Sequence, residues 1–361
     1  MVETEFVSRE SPTMPRAGAG GRPCQGLYHQ PAGTRPRTAV IATHYDVDFG
    51  EHYLAEHLAA LGYGFLGWNT RFRGAGTYFT LESALADIGV GVRWLREEAG
   101  VDNVVILGNS GGASLMAAYR AEAGDPTLGV DGLPMTDLFI SLNAHPGRPD
   151  VFTMWLDPSV VDENDPLSCD PGLDMFNPEH GPPYSPEFVE KYRAAQVARN
   201  DRLTQWCHDE MARLAAAGGR DRVFAVHRAW ADLRFADLSL DPSDRVAGCY
   251  MGDPRFANYS GLGLCAATTC RSWLSMWSLS ESACRAEPHL ARIDDPAFVL
   301  QSTGDTGCFP SDAQQIHDAL GSKDKAIEFT PGDHYFLGPN EQRPSVAARL
   351  AAWMEDHGAR P

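Results

Sequence analysis

The chain has 361 residues, 43% of them hydrophobic, enough to bury one large core or two ordinary ones. Thirty basic side chains against 48 acidic ones give a formal net charge of -18, which repels a phosphate backbone and an anionic membrane surface. Nucleic acid is thereby excluded as a partner, and no run approaches the roughly 18 apolar residues that a membrane helix needs.

From the N-terminus, Met1 to Gly21 is polar and rich in Gly, Pro and Arg, without the apolar core of a signal peptide. The expectation is a cytoplasmic protein with a flexible arm over residues 1–25, followed by an outer strand or hairpin at Gly26 to Ala32. Short apolar, β-branched runs then predict strands at Thr38 to Thr43, Gly64 to Trp68, Asn103 to Leu107, Leu138 to Asn143, Phe298 to Ser302 and Ala326 to Phe329. Amphipathic stretches between them predict helices at Glu51 to Leu61, Leu81 to Glu98, Gly111 to Ala121, Ser311 to Leu320 and Ser345 to Asp356. This alternation is the signature of an α/β fold, a mostly parallel sheet with helices on both faces. Gly89 and Gly91 weaken the second helix, so packing has to hold it.

The alternation stops between Pro146 and Asp295. A Pro- and Asp-rich connection, Pro146 to Pro183, leads to a helix with Ser185 as N-cap and Pro186 in its first position, running to Ala217 before Gly218-Gly219. The division expected is a core over 26–145 and 296–361, with a mainly helical cap at 146–295 folded over the strands' C-terminal edge, where open α/β sheets bind ligands. Trp155, Trp206, Trp230, Trp273 and Trp277 fall in this insert. Singly each is a core former; together they predict an aromatic chamber for a medium or bulky acyl or ring substrate, with Trp155, Trp273 and Trp277 as candidate lining. The eight cysteines (24, 169, 207, 249, 265, 270, 284 and 308) show neither Cys-x-x-Cys pairs nor zinc spacing with His. They read as buried free thiols, the alternative being a disulfide of unspecified pairing among the six from Cys169 to Cys284 in an exported chain, and no metal or cofactor is expected.

The chemistry centres on Val104 to Ser114, where a buried-strand pattern ends in Gly108-Asn109-Ser110-Gly111-Gly112 and small helix formers follow. A serine on a sharp strand-to-helix turn needs neighbours without side chains, and the N–H of Gly111 then points at a developing oxyanion. A serine hydroxyl also needs a base within reach and a group that orients the base. Asp305 lies just past one late strand and His334 in a glycine-bearing loop after the next, so all three gather at one sheet edge in the order Ser, Asp, His.

On these residues the chain resembles the α/β-hydrolase superfamily over about Thr38 to His145 and Pro296 to His357; the insert has no such likeness. The resemblance implies Ser110 as nucleophile, His334 as general base and then acid, and Asp305 as the residue that orients the imidazole. It implies a second oxyanion donor in the loop Thr43-His44-Tyr45-Asp46, where Tyr replaces the usual Gly and leaves the N–H of Tyr45 or Asp46 as alternatives. Arg73 matches a structural arginine of an Arg-Gly-x-Gly loop. Arg71, His44 and His145 are candidate substrate contacts, each with a structural alternative, while Cys308 reads as packing. The function expected is a cofactor-free serine esterase or lactonase acting on a small molecule through an acyl-enzyme, with a homodimer left open. Amide, thioester or carbon-carbon hydrolysis on the same residues is the alternative, and a non-catalytic ligand-binding member of the fold the second.

Overall fold

The apolar runs become strands because a strand covered on both faces is apolar throughout. The computed structural model describes residues 1–14, 21–261, 263–338 and 342–361. Among them the strands are β1 (Val2–Arg9), β2 (Cys24–Pro31), β3 (Thr38–Ala42), β4 (Gly64–Asn69), β5 (Asn103–Ser110), β6 (Leu138–Ala144), β7 (Val223–Ala225), β8 (Ala267–Thr269), β9 (Ala297–Ser302) and β10 (Lys325–Thr330). Eight form one sheet in the order β1-β2-β4-β3-β5-β6-β9-β10, while β7 and β8 make a separate antiparallel pair. From β4 to β10 all neighbours are parallel, and β2 runs antiparallel to both β1 and β4.

The two faces divide the core by the period of two. Along β5, Val104 and Ile106 face the helices Leu81–Trp94 and Gly112–Gly124, whereas Val105 and Leu107 face the helices Ala55–Ala60 and Gln342–Asp356. Gly91 is explained by close approach, since a Cβ there would lie 3.0 Å from Ile41 and from the Trp68 ring. The sheet contact thus offsets the helix propensity that this glycine lacks.

The flexible arm expected at 1–25 is corrected. Val2–Arg9 is an edge strand paired with β2 from Val2 opposite Pro31 to Arg9 opposite Cys24. Only Val7 is fully buried in it, so its sequence is as polar as a loop's. Residues 15–20 of that arm lie outside the described residues. The first helix starts at Ala55 rather than Glu51, after turns.

Residues 145–296 lie between β6 and β9 and carry the helices Arg148–Trp155 and Pro186–Ala216. Ser185 caps the second, its Oγ accepting from the Phe188 N–H at 3.2 Å. Trp155 stacks on Trp230 with ring centres 4.8 Å apart, in a small core with Val151, Phe235 and Phe309. Beside it, Arg228 donates to Asp157 at 2.6 Å with both side chains 1% exposed. Asn258 and Ser159 complete the aspartate's bonds. All eight cysteines are free, and among the described residues no helix is long and apolar enough to cross a membrane.

Two predictions follow from this packing. Arg228→Met strands the Asp157 carboxylate in a buried site, and denaturant unfolding should record a loss of about 3–5 kcal/mol. Burial holds the His52 pKa down at about 4, against an ordinary 6.5. Above pH 6.5 both folded and unfolded states are neutral there; between 6.5 and 4 only the unfolded chain takes the proton, so stability falls as pH falls. His52 should account for about 1.4 kcal/mol per pH unit in that window, and denaturation curves of His52→Asn should be shallower in pH by that amount.

Candidate active site

Strand β5 ends at Ser110, which adopts φ 55°, in the left-handed region that non-glycine residues rarely occupy. The turn closes because its flanking glycines admit backbone: a Cβ on Gly108 would lie 2.6 Å from Ala113 Cα, and one on Gly112 2.2 Å from the Thr43 carbonyl oxygen. Asn109 is locked by donating to the Leu142 carbonyl at 2.8 Å and by a 3.1 Å bond between its Oδ1 and His52 Nε2.

Asp305 and His334 lie in the loops after β9 and β10, at the edge where β5 ends. His334 Nδ1 is 2.6 Å from Asp305 Oδ2, while Oδ1 accepts from the Gly307 and Cys308 N–H groups at 2.8 and 3.0 Å. With Nδ1 donating to the carboxylate, Nε2 is left with its lone pair, as a general base requires. Both side chains are buried. No hydrogen bond joins Ser110 Oγ to the imidazole in this structure. Asn143, buried at the end of β6 with φ 42°, ties the two loops together. Its Oδ1 accepts from the Ser302 N–H at 2.7 Å and its Nδ2 donates to the His334 carbonyl at 3.0 Å.

The insert reaches this pair through Tyr250. Its hydroxyl donates to Asp305 Oδ1 at 3.2 Å and lies 3.0 Å from His334 Nδ1. Burial raises the phenol pKa well above its usual value and the Asp305 charge adds to that, so the group stays a neutral donor. Asp305, Cys308 and His334 have potential metal-ligating atoms within 4.8 Å of one another. The carboxylate and imidazole are engaged with each other, however, and burial followed by the Asp305 charge keeps the Cys308 thiol protonated. These three suit a hydrogen-bonded network better than a metal.

Around the expected oxyanion site, the Thr43–Asp46 loop runs against Gly112. The Tyr45 side chain turns inward, its hydroxyl 2.9 Å from Ser114 Oγ and its ring packed on Phe79. Asp46 lies with Oδ1 3.7 Å from His44 Nδ1. Burial opposes its charge, but the His44 contact and the nearby Arg148 outweigh that and hold its carboxyl below the ordinary range. His44 itself is pushed down to about 4, first by burial and then by the Arg148 charge. His145 is also buried and held well below its ordinary value, with Cys308 Sγ 3.5 Å from its ring.

Other candidates go elsewhere. Arg71 is engaged with Asp87: its backbone N–H donates to Asp87 Oδ2 at 2.9 Å, and its guanidinium lies 4.0 Å from that oxygen and 3.4 Å from Ser11 Oγ. Arg73 pairs with Asp48 at 3.0 Å. Trp155 and Trp273 are wholly buried in packing, Trp273 donating to Thr204 Oγ1 at 3.0 Å, so neither faces an open chamber. Trp277 is buried too, but approaches the Arg148 guanidinium, 5.6 Å from its ring centre. Sequence reasoning missed Arg148, Asn143 and Tyr250. The position of Asn143 at a strand end beside the insert was a usable signal, whereas nothing in spacing marked the other two.

No family model matches the chain, and no curated protein matches its sequence. Among solved structures it is similar to the alpha/beta hydrolase GrgF from Penicillium sp. sh18, with TM-score 0.57 and 12% identity over 99% of each chain. It is also similar to DcsB in complex with its substrate analogue, at 0.56 and 12% over 98% of this chain and 99% of that one. A third is Est1E from Butyrivibrio proteoclasticus, at 0.52 and 10% over 98% and 99%. The strand order, the left-handed serine turn and these likenesses together identify the architecture as the α/β-hydrolase fold.

Proposed function

We propose that this protein is a serine hydrolase cleaving a carboxylic ester or lactone through an acyl-enzyme. The observation that carries this reading is a half-buried Ser110 on a strained turn at the same sheet edge as a buried Asp305–His334 pair. His334 Nε2 takes the Ser110 proton as Oγ attacks the carbonyl, once that nitrogen closes to hydrogen-bond reach, a contact that often tightens only with substrate bound. Asp305 holds the imidazole in the required tautomer and stabilises its cation. The Gly111 N–H, with that of Tyr45 or Asp46, receives the oxyanion. Protonation of the leaving oxygen by His334 releases the alcohol, and water repeats the sequence on the acyl group.

Residues 146–295 act as a cap in this reading, because Arg148 and Tyr250 from the insert touch His44 and the Asp305–His334 pair. The insert then decides which acyl groups enter.

Turnover of 4-nitrophenyl esters from acetate to octanoate by wild type and Ser110→Ala tests the reading. The variant should lose a thousandfold or more in kcat, roughly what removal of a triad member costs. A Ser110→Ala enzyme as fast as wild type would exclude the mechanism.

A further inference from the structure

One buried cation near Ser110 forms no ion pair with any carboxylate among the described residues. Arg148, 2% exposed, opens the helix Arg148–Trp155 directly after β6. Its guanidinium presses on Gly111, where a Cβ would lie 2.6 Å from Cζ and 2.7 and 2.8 Å from the two terminal nitrogens. One face covers the Tyr45 ring with the carbon 4.6 Å from the ring centre, and Nη2 is 3.1 Å from His44 Nε2. Nε has no hydrogen-bond partner, and among the described residues no carboxylate forms an ion pair with it.

A guanidinium carries five N–H donors and cannot shed its charge, so burying one without an anion is costly. Two other buried arginines are paired, Arg228 with Asp157 and Arg199 with Glu163 at 2.7 Å, while Arg245, buried without an ion pair, donates instead to the carbonyls of Asp241, Arg234, Asp237 and Leu240. At Arg148 the neighbouring histidine is held neutral, which preserves the positive field at the turn. Asp46 is the nearby carboxylate, and it lies toward His44 without pairing to the arginine.

We infer that Arg148 is a substrate-binding residue and that the preferred substrate carries a carboxylate within a few bonds of its scissile carbonyl, as a half-ester of a short dicarboxylic acid does. The inference rests on the serine-hydrolase reading for the position of the scissile bond. The carboxylate takes the unspent N–H groups of the guanidinium as charge-assisted hydrogen bonds, while the adjacent carbonyl lies over Ser110 with its oxygen toward Gly111.

The test uses monomethyl glutarate and its neutral counterpart, methyl glutaramate, in two readouts. In calorimetry on Ser110→Ala protein, the carboxylate should bind about 10- to 100-fold more tightly than the amide, as one charge-assisted hydrogen-bonded pair warrants. Adding Arg148→Gln should abolish that ratio, and Arg148→Lys should restore part of it; thermal unfolding of each variant identifies any that does not fold. In turnover by enzyme with Ser110 intact, the kcat/KM ratio of the two esters should show the same preference and the same loss in Arg148→Gln. Equal binding of the two probes, or a preference that survives Arg148→Gln, would overturn the inference while leaving the hydrolase reading standing. A loss in Arg148→Gln that is equal for both esters would also overturn it, because the arginine would then serve the oxyanion. Selective, Arg148-dependent binding with neither ester turned over would uphold Arg148 as a carboxylate-binding residue and overturn the placement of a scissile carbonyl over Ser110.

Discussion

Ser110 can hold its left-handed backbone only because the chain passes on either side of it at distances that no side chain tolerates. Such a conformation costs roughly 1–3 kcal/mol and persists where the surroundings over-determine it. Here β5 is paired on both sides, the Gly108 and Gly112 contacts leave no room for a relaxed turn, and Asn109 is bonded to β6 and to His52. Asn143, one strand over, repeats the device with φ 42° and uses its amide to fix the loops that carry His334 and the start of the Asp305 segment. Two adjacent strand ends in strained backbone therefore position the three candidate catalytic side chains from three different loops.

The polar groups buried around that edge are unequally satisfied, and the inequality separates scaffold from function. Asp305 accepts from two backbone N–H groups, from His334 and from Tyr250, so its charge is fully compensated without solvent. Asp157 in the insert is compensated in the same way. Arg148 sits among aromatic rings and a neutral histidine with donors to spare, a state that a bound anion would relieve. Stability alone would favour an apolar side chain at such a position.

Much of this is legible in the amino-acid sequence. The core strands show as apolar β-branched runs because they are covered on both faces, and the serine turn shows because only glycine admits such close backbone contacts. Asp305 and His334 were legible from chain order and from their places just past two strands. By contrast, Val2–Arg9 escaped because an exposed edge strand shares its polar composition with a loop, and its partner lies across an intervening segment. Arg71 looked available until the fold supplied Asp87, since sequence does not show which carboxylate a long cation will meet. Arg148 and Tyr250 were invisible for a related reason: they come from an insert without internal periodicity, and only its tertiary packing brings them to Gly111 and to His334.

The central claim is that Ser110 is an activated nucleophile served by His334 and Asp305. Intact-mass measurement after exposure to a fluorophosphonate, with peptide mapping of wild type and His334→Gln, tests this most directly. The account predicts one phosphonyl group per wild-type chain, located on Ser110, and labelling slowed by orders of magnitude in the variant. Folded wild-type protein that stays unlabelled, carries the group on another residue, or labels as fast without His334 would contradict it.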